Sequence, residues 1–260
     1  VTHGIKNDEY NLMIAGADNT GATDISSLLI SAMAAGYKDI FIPAGTFLIS
    51  SQIQLQDSVT IRGAGRGRTF IKLSSNITAF KATYALGGNK SQITDLSFQG
   101  TFGSGTTSQK GVVIDSAYGV LIQNVGAYFM AGYVVSIGNN GLLPSNKFTF
   151  GNTVTNCYFE TCYGGVLFDT RGEYNTISNS TIVDGTYGVY VTGGNNRIIG
   201  NNISTCSYGV YLTSGSNNAH GTVTGNTINH SGTANVYATG VTLGMDFVGN
   251  EIYAGAITLL

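Results

Sequence analysis

The feature that most constrains this chain is a repeat. A glycine followed by alternating apolar residues recurs at Gly111–Asp115 (GVVID), Gly165–Asp169 (GVLFD), Gly188–Thr192 (GVYVT), Gly209–Thr213 (GVYLT) and Gly240–Gly244 (GVTLG), with a weaker copy from Gly132. A second short apolar segment falls in the same intervals, at Val154–Phe159, Ile177–Ile182, Ile198–Ile203, Val223–Ile228 and Phe247–Ile252. The last residues of these segments lie 23, 21, 25 and 24 positions apart. Units this short, with two or three strands each, cannot bury a face alone and must stack on their neighbours. An apolar period of two, broken by glycine in every unit, excludes helical repeats. With no helices between strands to make crossovers, successive coils pair in parallel about 4.8 Å apart, and the chain reads as an all-β solenoid.

Composition agrees. Only 10% of the 260 residues are charged, whereas glycine reaches 37 and proline 2, the balance of many short strands joined by tight turns. A formal charge of −2 without long charged runs offers no electrostatic reason to expect nucleic acid or an anionic membrane surface as partner. No apolar stretch approaches the roughly 18 residues of a membrane span, and the first residues lack a basic region followed by an apolar one. The expectation is a soluble chain without membrane insertion, whether a mature product, a fragment, or exported without a signal peptide. Cys157, Cys162 and Cys206 form neither an even disulfide framework nor a zinc pattern, and are expected to be buried and inert. His3, His220 and His230 read as solvated terminal and turn residues, so neither metal nor cofactor is expected.

Asparagine has a structural place in such a stack. Asn156 and Asn179 are expected in one column, and Asn201, Asn226 and Asn250 in the next, where equivalent amides of successive coils bond to each other; solvated turn positions are the alternative. Upstream, residues 23–36 carry a polar start, apolar Ile25, Leu28, Leu29 and Ala32 at helical spacing, and a closing glycine. A helix there serves as a lid on the open end of the solenoid, whose strand edges would otherwise be bare. The organisation expected is a single domain, with a lead-in and capping helix over 1–36 and stacked coils over 37–260.

Residues 16–73 carry a more specific pattern: Gly16-Ala-Asp18, the capping helix, the turn Ile42-Pro43-Ala44-Gly45-Thr46-Phe47, and Gly63-Ala-Gly65 before a strand. In these elements the chain resembles the pectate-lyase-like right-handed parallel β-helices, in the version found in bacteriophage tailspikes and related polysaccharide depolymerases. The resemblance implies a right-handed helix, a polysaccharide partner, an extracellular or virion-tail location and a homotrimer. It identifies a scaffold better than a reaction, because the family holds hydrolases, lyases, epimerases and proteins without activity.

Candidate chemistry lies where the repeat breaks. Gly63–Arg68 (GAGRGR) superficially resembles a phosphate loop, but neither Lys-Ser/Thr nor a helix follows, so it reads as a solenoid turn. No Gly-x-Ser-x-Gly elbow occurs. Glu160 and Asp184 begin equivalent turns on successive coils, where two nearby carboxylates would supply an acid beside a base, although an offset of one residue can turn them apart. In the segment 168–174 (FDTRGEY), Asp169 replaces the threonine of the equivalent turns at Thr192 and Thr213, and Arg171 and Glu173 are added. Glycoside hydrolysis needs two carboxyls about 5–9.5 Å apart, with an arginine to orient substrate; a simple surface ion pair is the bland alternative. Alternation also turns Tyr190 and Tyr211 outward on adjacent coils, where flat rings with hydroxyl rims suit a sugar or a neighbouring subunit.

The expected function is therefore binding and hydrolysis of an extracellular or cell-surface polysaccharide. Glu160, Asp169, Glu173 and Asp184 are the catalytic candidates, and Arg171, Tyr190 and Tyr211 the substrate-binding ones. A non-catalytic glycan-binding or structural solenoid and a polysaccharide lyase are the alternatives. An ice-binding array is weaker, because Thr-x-Thr occurs only sporadically. The chain ends at Ala256–Leu260 while still reading as strand, so a missing cap or a covering chain is expected there.

Overall fold

The computed structural model describes residues 6–74, 76–83, 89–102, 108–138, 148–214, 219–241 and 244–260; His3 lies outside them. Three parallel sheets run the length of the molecule, and each coil after the first gives one strand to each sheet. The first sheet has ten strands, from Lys6–Asn11 to Met245–Val248; the second has ten, from Thr20–Asp24 to Glu251–Tyr253; the third has nine, from Ile53–Leu55 to Ile257–Leu259. The repeat is thus the coil of a parallel β-solenoid. Its inward columns are the apolar series of the sequence: Phe159, Ile182, Ile203, Ile228 and Ile252 in the second sheet, and Val166, Val189, Val210 and Val236 in the third. Except for Ile252, these residues are at most 2% exposed, and each such side chain contributes about 1.5–3 kcal/mol relative to solvent exposure.

The corner between the first and second sheets is a tight bend with one residue of positive φ. Asp95, Asn124, Asn156 and Asn179 make the bend between first and second sheets, at φ from 50 to 58°, and Gly200, Gly225 and Gly249 continue that column. Asn, Asp and Gly accept this left-handed conformation most readily, which explains their interchange. Asn156 and Asn179 are accordingly exposed corner residues, and the ladder expected of them does not form. The ladder Asn201–Asn226–Asn250 does form: Asn201 Nδ2 donates to Asn226 Oδ1 at 3.0 Å, and Asn226 Nδ2 to Asn250 Oδ1 at 2.9 Å. A second ladder forms as well. Asn152 Nδ2 donates to Asn175 Oδ1 at 2.9 Å and Asn175 Nδ2 to Asn196 Oδ1 at 3.2 Å, all three fully buried.

A helix spans Ser26–Ala34 and buries Leu29, Ala32 and Met33 against the strands Tyr37–Ile42 and Ile53–Leu55, with Ile25 buried just before it. It follows the first strands of the first and second sheets, so it takes the third-sheet place in the first coil and covers the apolar end. The strands at 6–11 and 20–24 already belong to the stack. Asp24 accepts hydrogen bonds from Ser26 and Ser50, tying the helix start to the next coil. One sequence match fails: in the ninth coil the third-sheet strand is Ala234–Thr239, and Gly240 is a left-handed residue beyond it.

Candidate functional site

The outer side of the third sheet is a field of tyrosines. Leu167, Tyr190, Tyr211 and Tyr237 occupy one column, and Tyr187 and Tyr208 an adjoining one. Tyr187 lies parallel to Tyr208 at 5.5 Å between ring centroids, and Tyr211 to Tyr237 at 4.9 Å, while Tyr190 meets Tyr211 edge to face at 4.8 Å. Tyr133 and Tyr163 extend the field towards the N-terminal coils, each in contact with Tyr187. Tyr190 and Tyr211 thus point outward as alternation requires, but strict alternation would bury Tyr187 and Tyr208. The glycines explain the reversal. Gly188 falls out of register between the pairs Tyr187–Tyr208 and Val189–Val210, and a Cβ on it would lie 2.5 Å from Ile203 Cγ2 in the core. Gly209 is held in the same way, with a Cβ 2.7 Å from Ile228 Cγ2. Glycine therefore lets two consecutive residues face inward, and the tyrosine before it emerges on the outer face.

Burial dominates the chemistry of these phenols. It pushes Tyr187 up to about 12, with the neighbouring Tyr163, Tyr211, Tyr190 and Tyr208 adding to it. Tyr133, Tyr190 and Tyr211 are raised by the same cause. The Asp169 carboxylate contributes to the rise at both Tyr133 and Tyr190, which places it within electrostatic reach of the tyrosine field. Asp169 follows the third-sheet strand Gly164–Phe168, level with Thr192 on the next coil, as the repeat alignment requires. Its Oδ1 accepts from the Thr170 amide at 2.7 Å and lies 3.4 Å from Thr192 Oγ1. Glu173 sits in a two-residue strand, Gly172–Glu173, paired with Thr149–Phe150, and the Arg171 guanidinium lies 6.0 Å over the Phe148 ring. Exposed Phe148, Phe150 and Tyr174 complete an aromatic rim, in which Tyr118 stacks on Phe150 at 5.3 Å.

Glu160 and Asp184 fall elsewhere. Glu160 ends a second-sheet strand and pairs with Val183, so Asp184 is one residue further, at the corner, with φ 57°. The offset noted in the sequence is therefore real: one carboxylate stands on a sheet face and the other on a bend. Both act on Tyr158, whose phenol is raised first by burial, then by its hydrogen bond to Glu160 and by the Glu160 and Asp184 charges. The four carboxylates thus divide between the second-sheet side and the loop that leaves the third sheet.

The three cysteines are free and buried, and burial pushes the Cys157 and Cys162 thiols up to about 12 and Cys206 to about 11. His230 is exposed at a corner and bonds Asn229 Oδ1 at 2.8 Å, whereas His220 is half-buried outside the strands, with its ring beside Gly194. Among the described residues no group of three or more His, Cys, Asp or Glu is placed to hold a metal ion. No described helix is long and apolar enough to cross a membrane.

A family model described as rhamnogalacturonase A/epimerase, pectate lyase-like, matches residues 10–237. No curated protein matches the sequence. Among solved structures, the chain is similar to the Dettilon tailspike protein (gp208), with TM-score 0.65 and 18% identity over 93% of this chain and 54% of that one. It is also similar to the pre-mature gene product 12 of bacteriophage phi29, with TM-score 0.57 and 18% identity over 85% of this chain and 34% of that one. A third is the catalytic domain of a GH87 α-1,3-glucanase in complex with nigerose, with TM-score 0.54 and 15% identity over 100% of this chain and 59% of that one. The chain thus spans a third to three fifths of the length of these structures.

Proposed function

The chain belongs to the rhamnogalacturonase A/epimerase, pectate-lyase-like family, and we propose that it binds an extracellular or cell-surface polysaccharide on its tyrosine face and hydrolyses it at the carboxylate-bearing end of that face. The observation that carries this reading is the contiguous field from Tyr133 to Tyr237 with the Asp169 carboxylate within its electrostatic reach. Aromatic faces bury the apolar side of a sugar while hydroxyls at the rim bond its polar edge. The stacked pairs are one coil apart, so rings of one glycan running along the axis meet a tyrosine at each step. In this reading Asp169 and Glu173 form the carboxyl pair, one protonating the departing oxygen and the other assisting attack on the sugar. Arg171 orients the substrate, while Glu160 and Asp184 serve a separate surface. A phage-tail or extracellular location belongs to the same reading, supported by the similarity of the fold to a tailspike protein, and a homotrimer is proposed with it as the family resemblance implies.

The division of the four carboxylates also favours a second reading, in which the tyrosine face binds glycan and nothing is cut. The test is a screen of the chain against capsular, O-antigen and exopolysaccharide preparations, with products identified by mass. Hydrolysis adds one water per cleavage and leaves reducing ends, elimination creates a double bond that absorbs in the ultraviolet, and a binder leaves the polymer intact. If D169N and E173Q cleave as fast as the parent, the catalytic assignment is wrong. If Y190A and Y211A bind as tightly, the tyrosine face is not the binding surface.

A further inference from the structure

The turn Gly63–Arg68 plays no part in the tyrosine face, yet it holds a cation in an unusual place. The turn is anchored by the Gly65 amide donating to Asp95 O at 2.8 Å, the Arg68 amide to Gly65 O at 2.9 Å, and the Gly67 amide to Ser97 Oγ at 3.3 Å. From it the Arg66 side chain crosses the next two coils. Its stem passes over Gly126, where a Cβ would lie 3.0 Å from Arg66 Cγ, so the missing side chain is the bed on which the arginine lies. The guanidinium arrives 5.6 Å over the Tyr158 ring, and Nη1 donates to Asn156 O at 3.3 Å. That is its one hydrogen bond among the described residues, and none of their ion pairs includes it. A guanidinium has five N–H donors in a planar fork matched to a carboxylate, and here one of them is spent on a neutral carbonyl.

The arginine borders a groove of about 730 Å³ along the corner between first and second sheets. Asp95, Asn124, Asn156 and Asn179 line it, their side chains set outward by the left-handed bend that each supplies. Asp95 Oδ1 accepts from Asn124 Nδ2 at 2.7 Å, so the carboxylate is bridged to its neighbour and its second oxygen is open to a hydroxyl. A row of amides, one aromatic ring and a pre-positioned guanidinium is a set that takes sugar hydroxyls together with one anionic group.

We infer that this corner groove is a subsite for an acidic sugar, with Arg66 pairing to the sugar carboxylate and the corner asparagines bonding its hydroxyls. The inference rests on the glycan-binding reading above but places a second contact on a different side of the solenoid from the tyrosine face. It is tested by calorimetric titration of the whole chain with oligogalacturonate, oligomannuronate and hyaluronan fragments, each beside its carboxyl-reduced counterpart. At least one acidic probe is expected to bind, with affinity about tenfold or more weaker after carboxyl reduction and in R66Q. R66K, which keeps the charge without the fork, should fall between the two, and unchanged thermal unfolding of both variants shows that the fold is intact. Absence of binding by every acidic probe, or binding that survives both R66Q and carboxyl reduction, overturns the subsite. Tight binding of a neutral polysaccharide with no Arg66 dependence also overturns it while leaving the tyrosine-face reading in place. Arg66-dependent binding of an acidic probe that is indifferent to Y190A and Y211A upholds the subsite and counts against the tyrosine face.

Discussion

Replacing Asn226 by alanine tests whether the amide ladder, as distinct from the apolar columns, holds successive coils in register. Asn226 is 1% exposed. Its Oδ1 accepts from the Asn201 backbone amide at 2.8 Å and from Asn201 Nδ2 at 3.0 Å, while its own Nδ2 donates to Ile198 O at 2.8 Å. Truncation strands two buried donors of Asn201, although Asn201 Nδ2 keeps its bond to Ile177 O at 3.1 Å. At about 1–3 kcal/mol for each buried donor left without a partner, the loss comes to about 3–4 kcal/mol once partial relaxation is allowed. For a chain of this size that lowers Tm by about 6–16 °C. Asn156 is the control, because it is an exposed corner residue with φ 55° and no part in the ladder: N156G should lie within about 1 kcal/mol of the parent, since glycine accepts the left-handed bend. The assay is equilibrium urea unfolding followed by circular dichroism, with amide exchange read at Asn201. If N226A is no less stable than N156G, and the Asn201 amide stays protected, the ladder does not carry the stability assigned to it.

Three further outcomes follow from the same packing. The thiols of Cys157, Cys162 and Cys206 should resist a disulfide reagent at pH 8 and react fully in denaturant, since burial raises each of them; prompt labelling of the folded chain would contradict their burial. Folded values above the unfolded ones mean that this contribution to stability is complete below the unfolded thiol range and is lost as pH rises towards about 11 to 12. The unfolding free energy from urea titration should therefore fall steeply above about pH 9, by up to about 1.4 kcal/mol per pH unit for each thiol. G188A drives a Cβ into Ile203 and should cost about 1–3 kcal/mol by overpacking, and it should also disturb the Tyr187–Tyr208 stack, seen as a change in near-ultraviolet dichroism that a surface change such as R197A does not give.

The scaffold was legible because stacking makes every coil obey one rule. Phe159, Ile182, Ile203, Ile228 and Ile252 share an inward column, and their near-constant spacing in the chain is the length of one turn around the sheets. The same regularity misled where two columns lie side by side. Asn156 and Asn201 differ by one position within their coils, and that residue separates a solvated left-handed corner from a buried amide ladder. The second ladder, Asn152–Asn175–Asn196, is harder to read because Asn152 and Asn175 precede their first-sheet strands and Asn196 opens its own, all outside the apolar segments that define the period.

The functional surface was less legible for a related physical reason. A site is made of side chains that point outward, and a one-residue irregularity reverses direction without disturbing the period. Tyr187 and Tyr208 are outward only because Gly188 and Gly209 place two consecutive residues inward. Asp184 leaves the face of Glu160 only because it is the corner residue. Arg66 reaches Tyr158 across Gly126, where a Cβ would crowd its stem. In each case a glycine or a positive φ decides where a tyrosine or a charge ends up. Within a solenoid, then, the glycines that break strict alternation are better guides to the outward chemistry than the charged residues themselves, because they record where the backbone has given way to place a side chain.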